Sequence, residues 1–208
     1  MVALLSAKRP KSKPSSIPAA LIYEIIDGKP IYYNGYKAVL KGDKTIEDIM
    51  ATGVRQTRML NAIQGHLQKK HADENLTIFV GEIGIHISTN NNFSCDLVIF
   101  EDAVLNTLEN NNKYFPVPPK IIVEVDTDAD LSEINFVRYM LSKTKKLLNF
   151  GVEKIVWVFS EYQKVMIAVP NGDWITRDWD KSIEILDGDV VNLAELFKSK
   201  GIHFELPN

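Results

Sequence analysis

The chain has 208 residues, 45% of them hydrophobic and 25% charged, the balance of an ordinary globular protein large enough to stay folded without a disulfide or a structural metal. Its single cysteine, Cys95, excludes an intrachain disulfide and a cysteine-based zinc site, and it fits a reducing, cytoplasmic setting. The formal net charge of −3 gives no overall support to a polyanionic partner, and no apolar run approaches the ~20 residues that span a bilayer.

Residues 1–16 are rich in Lys, Pro and Ser and read as a flexible N-terminal extension, followed by one domain over 17–208. The short apolar run precedes the basic residues, the reverse of a secretory signal. Lys8, Arg9, Lys11 and Lys13 are either a solvated leader or a local basic patch. In LIYEIIDGKPIYYNG, Asp27-Gly28 separates two runs rich in Ile and Tyr, which predicts a β-hairpin. The following IEDIMATGVRQTRMLNAIQGHLQKK reads as helix broken near Gly53, with Met59, Leu60, Ile63 and Leu67 facing a core.

Strands then come in quick order. TIFVGEIGIHIS places Ile83, Ile85 and Ile87 on one face and ends at an Asn-rich turn; DLVIFED follows. An irregular stretch runs to Pro116, Pro118 and Pro119 before the apolar KIIVEV. A helix is predicted from about Leu131 to Phe150, closed by Gly151. EKIVWVFS and YQKVMIAVP read as a second hairpin, SIEILDG as a strand, and Leu193 to Lys198 as a final helix. The pattern is that of an α/β chain with a central sheet flanked by helices.

Three charged residues stand inside apolar elements. Asp96 opens DLVIF, Glu124 interrupts IIVEV, and Lys143 completes the helical stripe Phe136, Met140, Leu147. Taken singly, each has a plainer account: a strand-opening turn former, a charge on a solvated sheet face, and a snorkelling amine. Buried charges, however, pair with one another or bind metal. If the two strands are neighbours, Asp96 and Glu124 converge and could hold a hard cation such as Mg²⁺, with Lys143 nearby to meet negative charge developing on a phosphoryl group.

The order and spacing of YEIIDGKPIYYNG, SCDLVIFED, PPKIIVEV, the Lys143 helix and GVEKIVWVFS resemble the Uma-two-type restriction endonuclease-like proteins, a bacterial branch of the PD-(D/E)XK nuclease superfamily. The likeness spans about residues 21–170. It implies a PD-(D/E)XK restriction endonuclease-like core: a mixed α+β sheet flanked by helices, with an N-terminal β-hairpin. It also implies a metal-dependent endonuclease acting on DNA, with Mg²⁺ or Mn²⁺ held by Asp96, Glu124 and the Val125 carbonyl, Lys143 as the catalytic lysine, and a homodimer. Several positions depart from the family: Cys95 replaces a Pro, Gln56 a His, Tyr139 an Asp, and Asp126 holds the place that a lysine fills in other branches. The rival expectation is a non-catalytic nucleic-acid- or protein-binding module that kept the fold.

Other residues carry weaker signals. Glu24 is a candidate for the site without a definite place, and Glu82 and His86 read as an exposed strand face. His66 and His71, five apart, lack the spacing of a helical ligand pair and read as surface residues. The run Asp126, Asp128, Asp130 lacks the Gly and Glu of a calcium loop. Trp174 and Trp179 read as packing residues, or else as a surface for self-association.

Overall fold

The computed structural model describes residues 17–71, 74–127 and 129–204; the expected N-terminal extension lies outside them. After a 3-10 turn come β1 (Ile22–Ile26) and β2 (Lys29–Tyr32), then α1 (Tyr36–Lys41), α2 (Glu47–Met50) and α3 (Val54–Lys70). Asp27 and Gly28 both have positive φ, 52° and 73°, as the tightest hairpin turns require. The long antiparallel pair β3 (Leu76–Ser88) and β4 (Asn91–Glu101) precedes the single turn α4 (Asp102–Leu105) and β5 (Ile121–Val125). The helix α5 (Phe136–Phe150) crosses to β6 (Lys154–Phe159), which pairs parallel to β5. β7 (Lys164–Ala168) and β8 (Ile175–Asp178) extend the sheet, and β9 (Ile183–Glu184), β10 (Val190–Val191) and α6 (Leu193–Ser199) complete the described chain.

The large sheet runs β2-β1-β4-β5-β6-β7-β8, with β3 on the other edge of β4. On that first edge β4 meets β1 at Asn92 and β5 at Leu97 to Ile99. Between these two pairings, Ser94 to Asp96 have no strand partner on that edge among the described residues. Both faces are covered. Tyr139, Met140 and Leu147 of α5 share one core with Val98, Phe100, Ile122 and Ile155. Met59, Ile63 and Leu67 of α3 and Phe197 of α6 share the other with Leu97, Ile99, Val123 and Val156. Burial on both faces explains why β5 and β6 read as continuous apolar runs. Among the described residues no helix is long and apolar enough to cross a membrane.

Several expectations need correction. α5 starts at Phe136 rather than near Leu131, because Asp130 accepts the Ser132 N–H and Asn135 caps the helix by accepting the Arg138 N–H. Asp96 lies within β4, not at its start, since the Asn-rich run 91–92 is already strand. His66 and His71 are partly buried rather than free on the surface. The fully buried Asp189 carboxylate lies 3.0 and 3.1 Å from His66 Nε2, and the His71 side chain is 7% exposed beside it. Trp179, by contrast, takes the packing role expected of it: it is buried, edge-on to Phe197, and donates to the Lys164 carbonyl.

Gly151 closes α5 with φ 124°, its N–H reaching the Leu147 and Leu148 carbonyls, and a Cβ there would stand 3.0 Å from Pro118. We expect Gly151→Ala to lose about 1–2 kcal/mol, from the left-handed backbone and the crowded proline. A urea midpoint equal to that of the wild type would show that this turn relaxes freely.

Candidate functional site

The site forms where the β4–β5 ladder ends. The pairs Ile99↔Ile121, Val98↔Ile122 and Leu97↔Val123 lead to Asp96 and Glu124, the next residues of their strands. Opposite Asp96 the β3 register shifts, so that Gly81 and Glu82 together face one residue of β4. Such a bulge re-aims the side chain it opposes. Asp96 Oδ2 accepts the Val125 N–H at 2.7 Å and Gln56 Nε2 at 3.2 Å. The same Gln56 nitrogen donates to the Val125 carbonyl at 3.0 Å. Asp96, Val125 and the first turn of α3 are thus tied through one amide.

Lys143 enters from α5 on its buried stripe and is 1% exposed. Its Nζ donates to Glu24 Oε1 and to the Ser94 carbonyl, both at 2.7 Å. Glu24 also accepts the Ser94 N–H at 3.1 Å and the Tyr139 hydroxyl at 2.8 Å. The gap that β1 and β5 leave along β4 is therefore filled by side chains, which take the place of a neighbouring strand in satisfying Ser94. This is the physical role of Glu24. It closes the sheet and fixes the lysine.

Glu124 differs from Glu24. Its Oε1 is fully buried and pairs with Lys143 Nζ at 3.0 Å. The ammonium has three hydrogens; Glu24 and the Ser94 carbonyl take two, and the third is left to face Glu124 as an ion pair. Burial raises the Glu124 carboxyl to about 8; Lys143 works against that rise, while Asp96 and Glu24 add to it. Burial alone would depress Lys143, but Glu124 and Glu24 hold it well above its ordinary value, so it stays charged. Burial pushes the Tyr139 hydroxyl up, helped by Glu24, which keeps it a donor. Trp157 flanks the amine at 5.7 Å and donates its own Nε1 to Thr144.

The structure thus gathers Asp96, Glu124, Val125 and Lys143 and adds Glu24, Gln56 and Tyr139. Glu82 lies outside, exposed and accepting the Tyr33 hydroxyl at 2.6 Å, and His86 bonds Asn92 on the surface. Asp126, at φ 56°, accepts the Ser160 N–H. Among the described residues no three His, Cys, Asp or Glu side chains form a ready cation cage. The donor set of two carboxylates and a carbonyl nonetheless fits a hard cation that keeps part of its water shell. The buried Glu124 carboxylate is the observation that fits such a guest, since a buried carboxylate needs positive charge beside it and here has the Lys143 ammonium at 3.0 Å.

No protein-family model matches the chain, and no curated protein matches it. Among solved structures it is similar to a putative nuclease belonging to DUF820 from Anabaena variabilis ATCC 29413. The TM-score is 0.63 at 14% identity, over 85% of this chain and 90% of that one. At that identity the likeness speaks for the fold. The chain has a restriction endonuclease-like fold, a mixed sheet flanked by helices.

Proposed function

We propose that the chain is a metal-dependent endonuclease that hydrolyses DNA phosphodiester bonds. The observation that carries this reading is the buried cluster at the end of a ladder, where the Glu124 carboxylate pairs with Lys143 at 3.0 Å beside Asp96. Asp96, Glu124 and the Val125 carbonyl would hold Mg²⁺ or Mn²⁺. Such an ion, when bound, polarises a phosphoryl oxygen and acidifies a water. Lys143 meets the negative charge that develops on the phosphoryl group as the nucleophile adds. Glu24 and Tyr139 orient Lys143 and do not touch the substrate. A homodimer would present two such sites to the two strands of a duplex.

The test is cleavage of single-stranded, linear and supercoiled DNA in Mg²⁺, Mn²⁺ and EDTA. We expect cleavage only with metal, and a fall of at least roughly 100-fold in Asp96→Asn, because transition-state charge stabilisation is lost with the ligand. Equal cleavage by the variant would assign the activity to a contaminant. A second reading, the non-catalytic module, draws on the acidic net charge of −3 and on Asp126 at the position where other branches carry a lysine. It predicts nucleic-acid or protein binding with no cleavage under any of these conditions.

A further inference from the structure

Gln56 is 9% exposed, and its amide nitrogen has two hydrogens and two acceptors. One is Asp96 Oδ2 at 3.2 Å and the other the Val125 carbonyl at 3.0 Å. Both partners are acceptors, so the group between them is the NH₂ end and not the amide oxygen. These are also two of the three oxygens assigned above to the cation. A cation coordinated by both would draw them to roughly 2.1 Å, and it would need the space that the NH₂ group fills. An amide hydrogen pair carries partial positive charge and satisfies the two oxygens in the absence of metal. Resting on the metal reading above, we propose that the Gln56 amide holds the place of the cation between Asp96 and Val125, and that metal binds by displacing it.

The displacement is local. Gln56 lies in the first turn of α3, and rotation of its side chain withdraws the amide from both oxygens without moving the helix, while Asp96 Oδ2 keeps the Val125 N–H. The apo protein is stabilised by the two bonds, and every binding event must break them. The side chain at position 56 therefore sets metal affinity from outside the ligand set. An apolar side chain removes the two amide bonds from the apo site and with them the competition against metal, whereas a merely structural glutamine would affect stability alone.

The test is calorimetric Mn²⁺ titration of the wild type, Gln56→Leu and Gln56→Met, with thermal unfolding in EDTA and in saturating Mn²⁺. The lock predicts that the apolar variants bind Mn²⁺ roughly ten-fold tighter, as expected when breaking hydrogen bonds no longer opposes binding. It also predicts that they melt below the wild type in EDTA and level with it in Mn²⁺. Wild-type binding with equal or weaker binding by the folded variants overturns the lock and leaves the metal site standing. Binding by none of the three proteins removes the metal site and the lock together. If neither variant folds, the Gln56 side-chain NH₂ resonances of the wild type decide under Mg²⁺ titration. Large shifts with faster hydrogen exchange support displacement; signals unchanged while Mg²⁺ binds overturn it.

Discussion

Lys143→Ala is expected to lose about 3–5 kcal/mol of stability at neutral pH, the range for removing one partner of a buried ion pair. The amine contacts Glu24, Glu124 and the Ser94 carbonyl, all out of water. Its removal leaves Glu24 charged and buried without a cation, and leaves the Ser94 carbonyl unbonded in the gap of the sheet. The packing lost from a long side chain adds to this. Urea unfolding at pH 7 measures the loss. Adding Glu24→Gln should restore part of it, because the glutamine carries no charge, its oxygen keeps the Ser94 N–H, and its NH₂ can donate to the Tyr139 hydroxyl. A single-variant loss below ~1 kcal/mol would mean that the pair behaves as an exposed one and that the gap is wet.

The second large effect is a pH dependence set by Glu124. Its folded value of about 8 lies above the ordinary 4.5, so the folded protein holds this proton more tightly than the unfolded chain does. The stability that Glu124 contributes is therefore complete below about pH 4.5 and is lost as pH rises through about 8. Glu124→Gln is neutral at every pH and removes this slope. At pH 9 it should exceed the wild type by roughly 2–4 kcal/mol, from the conversion of a pKa shift into free energy. Metal responds in the opposite sense. A cation binds the carboxylate, so binding at pH 7 releases close to one proton and tightens until about pH 8. Titrations in two buffers of different ionisation enthalpy count that proton. A Gln variant no more stable than the wild type at pH 9 would show that Glu124 titrates as an exposed carboxyl.

The strands and helices that contact near neighbours in sequence were the legible part of the fold. The Asp27-Gly28 turn, the stripe through Met59, Ile63 and Leu67, and the C-cap at Gly151 follow from local chemistry, and they stand where the pattern put them. The same holds for the strand around Glu124, whose one charge in an apolar run is conspicuous. The start of α5 was lost because Asp130 and Asn135 each bind backbone N–H groups, and the helical stripe gives no sign of where those caps fall. β8 has all four residues exposed, so it carries no apolar alternation to read.

The polar partners were harder. Glu24 reaches Lys143 across 119 residues, and Gln56 reaches Asp96 across 40. Neither contact has a period or a spacing that a sequence displays. IYEII does carry a charge between apolar neighbours, the same signal that marks Glu124, and that signal would have placed Glu24 with equal force. The histidines were misread for the same reason. The buried Asp189 that draws in His66 lies 123 residues further along the chain.

In the proposed site, Asp96, Glu124 and the Val125 carbonyl bind a divalent cation. The most direct test is calorimetric titration of the full chain with Mg²⁺ and with Mn²⁺, beside Glu124→Ala shown to be folded by circular dichroism. The expected result is cation binding by the wild type that disappears in the variant. Equal binding by both proteins, or none by the wild type, would contradict it.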